Sequence, residues 1–294
     1  NAVTPSDING DGMVLSMRWE DPLGTMKEYP GMPGLMVPRE PGDTEGPFYS
    51  MCTEGYIENY DGGPLQFGMR HRDLNRSLPV HWSPTANAAD YPCRDIESRA
   101  VAEFMVTHPN IFAGIDYHCG SCGILRPLMT PDTDLSNDDR HTIVDIGMLG
   151  SALTGLPLIS EREYKAPDEP ASPPHGCSNE WAYHVLGISH YVIELGNGFN
   201  GIGLPTEEIL KNWRNIDKGP WLKEITQRHL SLGSEILVPW TEYDHPQLGK
   251  VEIGGFKDGQ AYHMYPPDME TLIPKTTAFL MKHADMGPKL ILGN

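Results

Sequence analysis

The 294-residue chain has no apolar run near the roughly 18 residues needed to span a bilayer, so no membrane span is expected. It has no basic excess either. Twenty-two Lys and Arg against 40 Asp and Glu leave a net charge of −18. That balance excludes a nucleic-acid surface, because no basic patch could easily outweigh it. Cysteine is scarce. Cys52, Cys93, Cys119, Cys122 and Cys177 are too few for a disulfide scaffold, and two bridges would leave one of them over. None of the twelve histidines has Glu three residues after it, so the sequence holds no His-x-x-Glu pair of the kind that supplies two metal ligands. No internal repeat is found. The first residue is Asn1, not Met, and no signal peptide is visible. A trimmed secreted protein and a partial sequence both fit that start, and an extracellular or periplasmic setting is the expectation.

What is present is enough for a sizeable core. A hydrophobic content of 39% is ordinary for a globular protein of this length. No linker clearly divides the chain, so one domain over 1–294 is expected. Residues 24–70 are expected to form a long loop insert, with turns at Pro30-Gly31, Pro33-Gly34, Pro41-Gly42 and Asp61-Gly62-Gly63. From Asp95 onward the spacing predicts regular elements. A helix with Ala100, Val101, Phe104 and Met105 inward precedes a buried strand from Ile111 to Tyr117, ended by His118. A helix over 138–154 follows, with Ile143, Ile146, Leu149 and Leu153 inward. Another helix surrounds Trp181 to Leu186, and Ser189 to Leu195 reads as a second buried strand. Glu207 to Leu232 is helical with a break at Gly219-Pro220. A last helix carries Leu272, Ile273, Thr276, Phe279 and Leu280 on one face. Strands alternating with helices give an α/β fold, a mixed sheet flanked by helices.

Candidate chemistry sits at the ends of those strands. His118 closes the first, where ligands collect. Glu194 interrupts the apolar run Tyr191-Val192-Ile193-Glu194-Leu195, and a carboxylate there is costly unless paired or working. Asn75-Arg76 follows a glycine-rich stretch, and Arg is the side chain best shaped to take a carboxylate bidentately. Each residue alone has a plain structural reading: a packed His, an ion-paired Glu, a turn with a surface charge. Cys119 and Cys122 have the spacing of a zinc or redox pair or of a local disulfide, but no second Cys-x-x-Cys exists. Asp7-Ile8-Asn9-Gly10-Asp11-Gly12 resembles the start of a calcium loop, yet Arg18 stands where the twelfth-position Glu belongs.

The order of the pieces is more specific than any one of them. Asn9-Gly10-Asp11-Gly12, then Asp73-Leu74-Asn75-Arg76, then Tyr117-His118 with Gly123-Ile124-Leu125-Arg126-Pro127, then Glu180-Trp181-Ala182-Tyr183 and Ile193-Glu194-Leu195 resembles the carboxypeptidase A-like zinc carboxypeptidases. The likeness is to bacterial members with long Asp/Gly-rich inserts, from about Asp7 to Leu290. It implies a zinc-dependent hydrolase that removes the last residue of a peptide with a free C-terminus. His118 would be a zinc ligand and Glu194 the catalytic base. Asn75 and Arg76 would hold the terminal carboxylate. Arg39, with Arg18 as runner-up, would stabilise the oxyanion, and Tyr164 would cover the substrate. In such enzymes a His-x-x-Glu supplying two zinc ligands lies upstream of the Asn-x-Asp-Gly motif, which here would precede Asn1. A further N-terminal segment or a second chain is therefore expected to complete the zinc site. The family usually continues Asn-Arg-Asn-Phe, whereas Ser77-Leu78 follows here. The competing reading is an inactive relative serving as a structural, assembly or peptide-binding protein.

Overall fold

The protein is described from a computed structural model, over residues 2–63, 65, 72–84, 88–120, 122–127, 135–160, 176–211, 220–257 and 266–287. In chain order, strands β1 (Val3–Pro5), β2 (Ser16–Glu20), β3 (Met26–Glu28), β4 (Met36–Pro38), β5 (Tyr49–Thr53) and β6 (Gly55–Ile57) come first. A 3₁₀ turn (Leu74–Arg76) and helix α1 (Ile96–Thr107) lead to β7 (Ala113–His118) and β8 (Cys122–Arg126). Next come α2 (Asn137–Thr154), β9 (Leu158–Ser160), α3 (Ser178–Leu186) and β10 (Ser189–Leu195). The remaining elements are α4 (Gly198–Gly201), α5 (Thr206–Lys211), α6 (Pro220–Ser231), β11 (Leu237–His245), β12 (Gly249–Phe256) and α7 (Pro266–Asp285).

The chain gathers into two compact units. One comprises residues 1–69, 201–203 and 212–263. Its main sheet is antiparallel, in the order β11-β12-β2-β5-β3-β4, with β1 and β6 as a separate pair. The expected loop insert over 24–70 therefore carries four strands. They are only three to five residues long, separated by turns such as Gly31 and Gly34 at positive φ, too short for period-two alternation to register. Met17, Leu15, Val251 and Ile253 form the core under β2 and β12. On the other side of β2, Arg18 is buried between the rings of Tyr49 and Trp240, each 4.3 Å away, and pairs with Glu28 and Glu252 at 2.8 Å. Glu252 faces it by strand register. The Asp7–Gly12 loop is closed by its own hydrogen bonds, Asp7 accepting from Gly10 and Gly12 and Asp11 from Met13. The fully buried Glu54 accepts from the backbone of Ile8 and Leu15.

The second unit comprises residues 70–200, 204–211 and 264–294. Its four-stranded sheet runs β7-β10-β8-β9, with β7 parallel to β10, β8 antiparallel to β10 and β9 parallel to β8. The expected mixed sheet flanked by helices is found here. β10 spans the predicted Ser189–Leu195. Alternate residues Tyr191 and Ile193 join Ile124, Ile143, Ile146, Leu272 and Phe279 in the core beneath α2 and α7. Two glycines allow close packing, Gly150 within that core and Gly114 against His190 on the other face of the sheet. A Cβ on Gly150 of α2 would lie 2.7 Å from the Phe279 ring, and one on Gly114 of β7 would lie 2.9 Å from Nδ1 of His190. α2 is capped by Ser136 and stopped by Gly155 at φ 79°.

Two helices match the predicted faces only in part, with Met105 of α1 and Leu272, Thr276 and Phe279 of α7 packed inward as expected. In α1 the buried positions are Ser98 and Ala102, while Val101 and Phe104 are exposed. The small residues let the helix approach Trp181 and Leu78, and those two bulkier side chains are left outside. In α7 Leu272, Thr276, Phe279 and His283 are buried, whereas Ile273 and Leu280 are exposed.

Candidate active site

The parity of β7 and β10 decides what faces what. Parallel register pairs Val192 with Asp116 and Glu194 with His118, so these side chains emerge from one face of the sheet. The opposite parity sends Tyr117 towards α7, where its hydroxyl meets the carbonyl of Thr276 at 3.5 Å. His118 Nδ1 lies 3.8 Å from Glu194 Oε1. The Glu194 side chain is only 8% exposed and that of His118 is 31% exposed. A buried carboxylate is thus set beside a half-buried imidazole with access to solvent.

Burial lowers the His118 pKa below its ordinary value. Asp116 and Asp73 oppose that effect, and Arg76 and His190 add to it. The ring is therefore neutral at neutral pH, the form that can ligate a metal. Asp116 behaves oppositely. Burial would raise its carboxyl, but hydrogen bonds from His190 and Ser178, with His118 nearby, outweigh that and hold it below the usual carboxylate value. His190 Nε2 stands 3.2 Å from Asp116 Oδ1, and the Ser178 hydroxyl donates to Oδ2.

The Asn75-Arg76 turn is joined to the same network. Asp73 caps it by accepting from the Asn75 N–H. The backbone N–H of Ser178 donates to Asn75 Oδ1 at 2.8 Å, which fixes the amide's acceptor end and leaves its donor end for a ligand. Arg76 Nη1 donates to the Asn75 carbonyl at 2.7 Å, with Cys177 Sγ at 3.5 Å and Asp73 Oδ2 at 3.6 Å. The guanidinium is about one-third exposed, and one nitrogen accounts for all of these contacts. Gly176 locks the turn from behind. Its N–H donates to the Val80 carbonyl and its carbonyl accepts from Leu78.

Four of the sequence-predicted residues, Asn75, Arg76, His118 and Glu194, thus lie in one unit and are linked through Ser178 and Asp116. Arg39 is not among them. It belongs to the first unit, where its guanidinium donates to the carbonyls of Pro22 and Asp43 at 3.1 Å and stacks 3.6 Å over Phe48. Those contacts hold its own loops, and Arg18, the runner-up, makes two ion pairs. Tyr164 lies outside the described residues. Cys119 and Cys122 are free thiols, not a disulfide, and burial pushes Cys122 up to about 11, so it is protonated at neutral pH and a poor ligand. The stretch Asp116-Tyr117-His118 stands out in the sequence, but sequence reasoning gave no role to Asp116, Ser178 or His190. Asp116 could have been found, since it stands two residues before His118 and shares its face.

The sequence model of the zinc carboxypeptidase family matches residues 48–217, more than half of the chain. The chain belongs to this family. No curated protein matches it. Among solved structures it is similar to bovine thrombin-activatable fibrinolysis inhibitor, determined in complex with tick carboxypeptidase inhibitor. The identity is 18% and the TM-score 0.36, over 57% of this chain and 61% of that one. The chain thus spans less than two thirds of that relative's length.

The family name implies zinc, and the described residues do not complete a zinc site at His118. Among them, the group of three His, Cys, Asp or Glu side chains close enough to share one ion is His81, Glu180 and His184, and it excludes His118. One imidazole is short of the three protein ligands a catalytic zinc needs. No helix among the described residues is long and apolar enough to cross a membrane.

Proposed function

We propose that this chain carries the substrate-carboxylate clamp and the general base of a carboxypeptidase that cleaves the last peptide bond of a chain with a free C-terminus. The observation that supports it most is the register pairing of Glu194 with His118 on adjacent parallel strands, 3.8 Å apart, in the unit that also holds Asn75-Arg76. Arg76 takes the terminal carboxylate through its unused guanidinium N–H groups, and Asn75 adds an amide donor. Glu194 accepts the proton of the attacking water and returns it to the leaving amine. The buried setting suits that role, since a carboxylate shielded from bulk water has fewer competing hydrogen bonds.

Zinc is the cofactor of this reading. His118 supplies one ligand, and the other two come from a further segment or a partner chain. Tyr164 covers the bound residue, and the setting is extracellular or periplasmic. The test is hydrolysis of a peptide and its C-terminal amide by the zinc-supplied protein. Release of the terminal residue from the free acid alone supports the assignment; equal cleavage of both, or internal cleavage, overturns it.

A second reading has one observation in its favour: the described residues do not complete a ligand set at His118. On it the chain is an inactive relative that binds peptide C-termini through Asn75-Arg76. Binding of the free acid without turnover, at saturating zinc, distinguishes it.

A further inference from the structure

We propose that His81, Glu180 and His184 form a second divalent-metal site, separate from His118, suited to zinc or another borderline transition metal. Glu180 and His184 are one helical turn apart on α3, so their side chains share a face. His81 comes from the segment just after the Asn75-Arg76 turn and holds the uncommon left-handed backbone conformation, φ 52°. His184 Nε2 lies 3.3 Å from Glu180 Oε2, and His81 Nδ1 lies 3.6 Å from the same oxygen. All three ligand atoms fall within 4.8 Å of one another.

Those spacings match a metal's requirements. Ligands about 2.0–2.1 Å from a tetrahedral zinc are separated by about 3.3 Å. The two imidazole rings meet edge to face with centroids 5.4 Å apart, so neither ring blocks the other's nitrogen. Glu180 is fully buried, and its carboxylate contacts two nitrogens that lack formal charge unless protonated. A cation held by the three ligand atoms would lie against that carboxylate. The histidines are about one-third to two-fifths exposed, which gives an ion a way in and leaves room for water as a fourth ligand. Two imidazoles and a carboxylate favour zinc, cobalt or nickel over calcium and magnesium, which prefer all-oxygen sites.

The site would tie two segments together. His81 follows the turn that carries Asn75 and Arg76, and Glu180 follows Ser178, which donates to Asn75. Metal binding would therefore stabilise the clamp as well as α3, by an amount that grows with metal concentration over the dissociation constant.

The test uses the full chain, stripped with chelator, and Co²⁺ alone as probe, read by its visible d–d absorption and displaced by Zn²⁺. Four proteins are compared: wild type, His118→Ala, His81→Gln and His184→Gln, each checked for folding by circular dichroism. The site predicts equal Co²⁺ binding by wild type and His118→Ala, and at least about 100-fold weaker binding by His81→Gln and His184→Gln, since losing a ligand costs no less than losing its supporting partner. Zn²⁺ should also raise Tm in the first pair and not in the second. If the His184 substitution unfolds α3, the partly exposed loop residue His81 decides the matter. Absence of Co²⁺ binding by folded wild type, loss of it in His118→Ala, or unchanged affinity in His81→Gln overturns the site. The His118→Ala protein separates this outcome from failure of the carboxypeptidase reading, because the two sites share no ligand.

Discussion

A Cβ added to Gly176 would sit 2.9 Å from the carbonyl oxygen of Arg76 and 2.8 Å from that of Leu78. The contact is between backbones, so no flexible side chain can yield, and Gly176 also has φ +71°. Gly176→Ala therefore meets strain of roughly 1–2 kcal/mol from the left-handed backbone and about 1–3 kcal/mol from crowding. Urea denaturation should show a loss of that combined order, and affinity for a free-acid peptide should fall as the Asn75-Arg76 turn shifts. A variant within 0.5 kcal/mol of wild type, the usual range of a neutral surface change, would mean the turn is not held by this packing.

Arg76→Lys keeps the charge and loses the planar fork. A hydrogen bond to a charged group contributes about 1.5–3 kcal/mol, so kcat/KM for a free-acid peptide should drop roughly 10- to 100-fold. The C-terminal amide, bound without that contact, should change little. Parallel losses for both substrates would assign Arg76 to the structure of the turn, through its bond to the Asn75 carbonyl.

His283 provides a pH signature. It is buried against Tyr191 and Phe279, with Ser189 Oγ 3.1 Å from Nε2, and burial, aided by His190, lowers its pKa to about 4. The native state thus binds the proton less readily than the unfolded chain, whose histidines titrate near 6.5. Stability from this group is complete above about pH 6.5 and is lost as pH falls towards about 4. Between pH 7 and pH 5 the loss should be about 2 kcal/mol. Urea unfolding of wild type and His283→Gln at both pH values checks it. The variant should be less stable at pH 7 but show a shallower decline; identical slopes would contradict the assignment.

The strand carrying Glu194 was legible because the mostly apolar stretch Tyr191-Val192-Ile193-Glu194-Leu195, with Gly187 before it and Gly196 after it, is too short for a helix. His118 was legible as the end of such a run. Their pairing follows from strand order, which local pattern does not encode. Asn75 and Ser178 are bonded across 103 residues, and nothing in either segment announces the other. His81 and Glu180 meet for the same long-range reason. The orientation of α1 was misread in part because Ser98 and Ala102 face inward. Close approach needs small side chains there, whereas hydrophobicity alone favours Val101 and Phe104. Arg39 was assigned by its place in the sequence, and its environment of carbonyls and Phe48 could be seen only in three dimensions.

Glu194→Gln tests the central claim most directly. The substitution is nearly isosteric, removes the base and leaves His118 in place. Steady-state hydrolysis of a free-acid peptide should be measured on the zinc-supplied protein and the variant, with zinc content and folding determined on the same samples. A kcat lower by roughly 10²–10⁴-fold, with KM, zinc content and fold unchanged, is the predicted result. Unaltered hydrolysis per folded molecule, or a variant that fails to fold while its residual folded fraction keeps full activity, would make Glu194 a structural partner of His118 and contradict the account.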